Sequence, residues 1–263
     1  MFGRIAGFAY GVICYGISMA LFVYAMAFLA NIGVARSLDS VAYTPFAHAL
    51  AVDIGLLVLF AVQHSVMARP GFKKMWTRIV PAQLERSTYL LFSSVALLFV
   101  FLKWEPMGGV IWNIESAPGQ YAMYGLYVVG WLIVLAATFL INHFDLFGLR
   151  QVWLNLRGQK YTGLLFRTPG FYRLVRHPLY VGWLLVFWSA PRMTAAHLVF
   201  AAVTTLYILV AIRFEERDLM RVHPEYAEYR NRVPMLIPMG SATDPSNSRV
   251  NGRRGQEALD REF

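Results

Sequence analysis

Two polar clusters flank an apolar hairpin near the carboxyl end of this chain. Arg176-His177-Pro178-Leu179-Tyr180-Val181-Gly182 stands at the start of the first apolar run. After the second run come Glu215-Glu216-Arg217-Asp218-Leu219 and His223-Pro224-Glu225-Tyr226-Ala227-Glu228-Tyr229-Arg230. A hairpin returns both clusters to one membrane surface, where they suit a polar ligand held beside hydrocarbon. Pro178 fits the first turn of a helix, since its missing N–H is not needed there. The free N–H groups of that helix start, with Arg176 and His177 beside them, suit a carboxylate or another anion. Glu215 and Glu216 end the last apolar run, placed to accept from hydroxyls or an ammonium. Pro224 starts a short interfacial helix on which Tyr226, Tyr229 and Arg230 share a face at i, i+3 and i+4. That helix forms a lid whose rings can cover a flat heterocycle. Taken singly, the same residues also suit a membrane anchor and an aromatic belt.

The elements that position these residues are membrane helices. The 263-residue chain is 57% hydrophobic and 15% charged, outside the range of ordinary soluble domains. Apolar runs at about 5–30, 44–67, 87–102, 121–142, 179–190 and 195–213 predict an all-α polytopic membrane bundle. Five of them read as full spans. The run 179–190 is a shorter, partial arm of the 179–213 hairpin, turned at Pro191 and Arg192.

Charge sets the expected orientation. Segment 68–87 carries Arg69, Lys73, Lys74, Arg78 and Arg86 against Glu85, and segment 143–178 carries six basic residues against Asp145, whereas the intervening loops are nearly neutral. Basic loops stay cytoplasmic, so six crossings put both termini, both polar clusters and the lid helix inside. The net charge of +9 is then explained by orientation and anionic lipid. No soluble basic face with interleaved aromatics supports a nucleic-acid partner.

Several other classes are set aside. The first run is too long for a removable signal peptide and lacks its cleavage site. The single Cys14 lies inside that run as a packed thiol, and Gly3, Gly7 and Gly11 beside it let a neighbouring helix approach. The six histidines are dispersed, so no metal is expected. There is no Gly-x-Gly-x-x-Gly and hence no soluble dinucleotide-type fold. Residues 1–238 read as one domain, with the cofactor-binding half at about 140–238. Residues 239–263, with Arg253 and Arg254, read as a disordered polar tail. Asp53, inside the second run, is expensive at that depth, and pairing with His48 or Gln63 is expected.

The ordered set Arg-His-Pro-x-Tyr-x-Gly, hairpin, Glu-Glu-x-x-Leu and Tyr-x-x-Tyr resembles the membrane methyltransferases related to isoprenylcysteine carboxyl methyltransferase. The leucine here falls one place late, at Leu219, which leaves open whether Glu215 or Glu216 takes the family's role. The resemblance implies S-adenosylmethionine as cofactor, held by Arg176, His177, Pro178, Leu179, Tyr180, Gly182, Glu215, Glu216, Tyr226, Tyr229 and Arg230. Three further segments are Gln63-His64-Ser65-Val66-Met67-Ala68-Arg69, Glu85-Arg86-Ser87-Thr88-Tyr89 and Asn142-His143-Phe144-Asp145-Leu146-Phe147-Gly148-Leu149-Arg150-Gln151. They resemble the bacterial methanethiol S-methyltransferase family, which implies methylation of a small thiol, methanethiol, to dimethyl sulfide at the inner membrane. A lipid-borne or prenylated acceptor, and a non-catalytic denitrification-associated protein, are the alternatives.

Thiol methylation needs a base, because free thiols titrate near 8.5. His64 and His143 both stand where a span meets the inner face, and either can accept the proton. Asp145 or Asn142 would fix the His143 tautomer, and Tyr89 and Arg86 would orient the sulfur. A water-poor cavity favours the step, because thiolate and sulfonium partly neutralise each other in the transition state.

Overall fold

The computed structural model describes residues 1–164 and 166–238. The chain forms α1 (Phe2–Ala30), α2 (Phe46–Ala68), α3 (Pro70–Trp76), α4 (Glu85–Lys103), β1 (Val110–Asn113), α5 (Ala117–Ile141), α6 (His143–Leu146), α7 (Leu149–Leu156), α8 (Pro178–Trp188), β2 (Arg192–Thr194), α9 (Ala195–Val222) and α10 (Tyr226–Arg232), with a 3₁₀ turn at Gly170–Arg173. Proline marks several helix starts, because it sets φ without a needed donor. Pro45 caps α2, and α3, α5 and α8 carry proline in their first turn.

α1, α2, α4, α5 and α9 are each long and apolar enough to cross a membrane. α8 is not. Its 11 residues rise about 16 Å, roughly half of a hydrocarbon core. The expected five spans with a shorter hairpin arm are thus the observed architecture. Many large apolar side chains, among them Val58, Leu132 and Phe139, are exposed on the outside of the bundle, as lipid-facing residues are.

The helices close into a ring. α1 packs on α4, α4 on α2, α2 on α9, α9 on α8, and α8 lies along α5. The ring closes through α6 and α7, which link α5 to α1. Tyr127 also donates to the Met26 carbonyl at 2.7 Å. Two contacts are unusually close. A Cβ on Gly182 would lie 2.8 Å from the Gly130 carbonyl oxygen, and one on Gly130 would lie 2.9 Å from that of Gly182. On α1, a Cβ on Gly11 would meet Val152 at 2.6 Å, so α7 can seat only against a bare backbone there.

The far end of the bundle is held by polar anchors. β1 pairs antiparallel with β2, a small sheet that the all-α expectation omits. Gly108 and Gly109, both near φ +65, free the chain from helix so that these short segments can satisfy each other. His197 is buried, with Nδ1 3.0 Å from Asp39 Oδ2 and Nε2 3.0 Å from the Phe187 carbonyl. Thr194 and Asn31 also donate to Asp39. Asp53 is fully buried and accepts from the backbone N–H of Glu105 at 2.9 Å. Its partner is therefore the loop leaving α4, and neither His48 nor Gln63.

α9 also departs from expectation. Glu215 and Glu216 do not end it. With no proline or glycine before Pro224, the helix runs on to Val222 and carries both carboxylates on its surface. The polar tail expected after residue 238 lies outside the described residues.

Candidate active site

The α8 start, the end of α9 and α10 meet at one end of the ring. Their meeting point is Glu216, which is buried. Its Oε1 accepts from Arg176 Nε at 2.8 Å, lies 3.0 Å from His177 Nε2 and receives the Tyr226 hydroxyl at 3.3 Å. Its Oε2 lies 3.3 Å from Arg230 Nε. Arg176 also donates to the carbonyls of Arg230 and Val233. Backbone bonds from Arg176 to Pro234 and from His177 to Met235 lash the strap after α10 across the residues before α8. Two cations and an imidazole around one carboxylate satisfy a charge that burial would otherwise penalise severely.

Tyr226 and Tyr229 lie side by side on α10, their rings packed on each other and on Phe166. Tyr229 donates to the Tyr172 carbonyl at 2.6 Å. Burial pushes the Tyr229 hydroxyl up to about 12, with Arg176 opposing and Glu216 adding to the shift. Burial, then the charge of Glu216, raises Tyr226 as well. Both phenols therefore stay protonated donors. Gly182 faces Gly130 across the α5–α8 contact, and Leu179 packs at the edge of the core.

A second cluster lies inside the ring, among α2, α4, α8 and α9. The Tyr89 hydroxyl is 2.9 Å from His64 Nε2, and Ser93 Oγ is 3.1 Å from His64 Nδ1. Phe60 stacks on the imidazole, with ring centroids 5.3 Å apart. The Arg86 guanidinium sits 5.2 Å above the Tyr89 ring and donates to the Leu146 carbonyl at 2.8 Å. Tyr180 donates to Glu215 Oε2 at 2.8 Å, and Ser65 donates to the Tyr207 hydroxyl at 3.1 Å. Tyr89, Tyr180, Tyr207 and Glu215 interact electrostatically. Arg69, ion-paired with Asp218 at 2.7 Å, adds positive potential beside His64.

His143 occupies a different environment. Asn142, at φ +150, turns the chain out of α5 and caps α6 through its side chain. His143 then lies buried, stacked on Phe139 at 4.3 Å. Thr138 gives its hydroxyl proton to the Leu135 carbonyl, so its oxygen accepts from His143 Nδ1–H at 2.9 Å. Nε2 accordingly accepts from Tyr15 at 2.9 Å. Thr138 thus fixes the tautomer, where Asp145 or Asn142 was expected. Asp145 pairs instead with Arg150 at 2.8 Å, because α7 presents that guanidinium first. Burial lowers the proton affinity of His143.

The chain is 58% identical over 230 residues to the methanethiol S-methyltransferase of Crocosphaera subtropica, covering 87% of this chain and 90% of that one. The methanethiol S-methyltransferase of Mycobacterium tuberculosis is 48% identical over 230 residues, 87% of this chain and 94% of its own. The chain belongs to the methanethiol S-methyltransferase family. Human Nurim is a more distant relative, 34% identical over 179 residues, which are 65% of this chain and 68% of Nurim. No family model matches, and no solved structure does.

Within this methyltransferase, the structure brings His64, Tyr89 and Arg86 together with Tyr180 and Glu215 in one polar cluster. Arg176, His177, Glu216, Tyr226 and Arg230 form the adjoining carboxylate hub, and His143 with Asp145 stands apart from both. Sequence reasoning missed Tyr207, Ser93, Tyr15 and Thr138. Ser93-Ser94 interrupts an apolar run and was a readable signal. Tyr207, alone among aliphatic neighbours, gave none. Among the described residues, no three His, Cys, Asp or Glu side chains converge as metal ligands do.

Proposed function

We propose that this enzyme transfers the methyl group of S-adenosylmethionine to methanethiol, releasing dimethyl sulfide. The observation that carries the reading is its 58% identity to a methanethiol S-methyltransferase across nearly the whole of both chains. The donor set fits the cofactor. Glu215 Oε1 has no hydrogen bond among the described residues, which leaves a carboxylate oxygen for a ribose hydroxyl or an ammonium. Tyr180, one turn into α8, holds that carboxylate in place. The cofactor supplies an electrophilic methyl group on a sulfonium.

His64 takes the thiol proton in this reading. Tyr89 and Ser93 hold its ring, and the cations Arg69 and Arg86 favour the anionic thiolate. His143 is the weaker candidate, because it lies buried and stacked on Phe139, whereas His64 is half-buried beside the cations Arg69 and Arg86. Glu216 acts through Arg176, His177 and α10, keeping the polar cluster closed against water. The basic segments at this end support a cytoplasmic orientation by the positive-inside rule, in an inner membrane.

A lipid-borne acceptor is the second reading. What favours it is an apolar groove of about 790 Å³ along α5, α8 and the strap, lined by Leu126, Val181, Leu185 and Met235 among others. Titrating detergent-purified enzyme with S-adenosylmethionine tests the cofactor assignment. Saturable binding that Glu215→Gln weakens supports it, and equal affinity in the variant removes Glu215 from the site. Offering a prenylated cysteine in place of methanethiol decides between acceptors, and the thiol reading expects no methylated product from it.

A further inference from the structure

We infer that Tyr207 is a substrate-binding residue whose phenol donates a hydrogen bond to the acceptor sulfur, an inference that rests on the thiol-methylation reading above. Tyr207 projects from the middle of α9 towards α2, and Ser65 Oγ donates to its oxygen at 3.1 Å. That bond uses a lone pair of the phenol and leaves its proton free. No acceptor among the described residues takes that proton. The ring is only partly exposed, between Leu206 and Ile208. A donor left unused in a half-buried site carries a desolvation penalty, which a ligand's acceptor would remove.

The position of the phenol fits that acceptor. Tyr89, which hydrogen-bonds His64, also interacts electrostatically with Tyr207, so the phenol lies near the proposed base. Besides Ser65 of α2, the groups that interact with it electrostatically are Arg69 just past the end of α2, Tyr89 from α4, Tyr180 from α8 and Glu215 from its own helix. Of these, Tyr180 is committed to Glu215 and Tyr89 to His64. Tyr207 is the phenol left to meet the nucleophile.

The chemistry balances without further groups. The thiol proton goes to His64, while Tyr207 keeps its own and shares it with the sulfur. As the new carbon–sulfur bond forms, the sulfonium carbon–sulfur bond breaks and its electron pair stays on the departing sulfide. Hydrogen bonding favours the charged form of an acid, so Tyr207 lowers the pKa of the bound thiol. A thiolate accepts strongly and a neutral dialkyl sulfide weakly, so the same contact slackens on methylation and lets the product leave.

The test uses full-length enzyme in detergent, with methanethiol varied at saturating S-adenosylmethionine. Tyr207→Phe is expected to raise the methanethiol KM about tenfold and to move the ascending limb of the kcat–pH profile alkaline by about one unit. Cofactor affinity should stay unchanged. Replacing Tyr207 with 3,5-difluorotyrosine, a more acidic donor of the same shape, should move the limb the opposite way, and it serves as well if the Phe variant folds poorly. Unchanged KM and pH limb in both variants, with the unaltered enzyme turning over normally, would overturn the inference alone. If the unaltered enzyme makes no dimethyl sulfide, the thiol reading fails and this inference with it.

Discussion

Glu216 collects Arg176, His177, Tyr226 and Arg230 at distances of 2.8 to 3.3 Å, and so ties α9 to the α8 start and to α10. Glu216→Ala leaves the half-buried Arg176 without its counter-charge and the buried His177 without its partner, and is expected to cost about 3–5 kcal/mol. It should lower the thermal midpoint in detergent and weaken cofactor binding together, which fluorescence melting and calorimetry can check. His64 lies with Tyr89 and Ser93 beside the cations Arg69 and Arg86, whereas His143 sits buried among Tyr15, Thr138 and Phe139. His64→Ala should therefore cut kcat by on the order of a hundredfold or more with cofactor affinity intact. His143→Phe should retain turnover, and the reverse pattern would make His143 the base. Both histidines were legible as candidates from their polar neighbours. What separates them is tertiary. Tyr15 comes from α1 and Ser93 from α4, and no local pattern announces either contact.

The α5–α8 contact depends on two glycines facing each other, with backbone oxygen where any Cβ would go. Gly182→Val is expected to force the helices apart at a cost of about 1–3 kcal/mol and to displace Tyr180, so both the thermal midpoint and cofactor affinity should fall. Sequence offers Gly182 as part of a cofactor motif, while the packing partner Gly130 lies on an earlier span, 52 residues before it, and invites no pairing on its own. At the far end, burial raises the Asp39 carboxyl, but hydrogen bonding and charge from His197, with Thr194 and Asn31, bring it below the usual carboxylate range. A depressed folded value stabilises above the unfolded pKa, and that contribution is lost as pH falls through the folded value. The thermal midpoint should accordingly drop as pH is lowered from about 6 towards about 3. Asp39→Asn should flatten that part of the curve, and an unchanged pH dependence would remove the latch from the account.

The molecule is a ring of membrane helices with polar anchors at one end and a cluster of polar side chains at the other. Its span count was legible because hydrocarbon imposes a length on each apolar run, and the half-length α8 followed from Pro191 interrupting the hairpin. The β1–β2 pair, the extension of α9 and the Asp53–Glu105 bond were not legible. Each depends on which loop a neighbouring helix delivers, which periodicity does not encode. The two carboxyl-terminal motifs read from sequence as one cofactor site, and in the structure the Glu216 hub adjoins the Tyr180–Glu215 pair, with the His177 and Tyr180 rings 5.6 Å apart. The chemistry proposed for this ring, methyl transfer from S-adenosylmethionine to methanethiol, would gain from excluded water, because thiolate and sulfonium partly neutralise each other in the transition state. Headspace gas chromatography of the purified enzyme given S-adenosylmethionine and methanethiol tests that claim most directly. Dimethyl sulfide that forms only when both reagents and intact enzyme are present is the expected result. Absence of product from folded, cofactor-binding enzyme would contradict it.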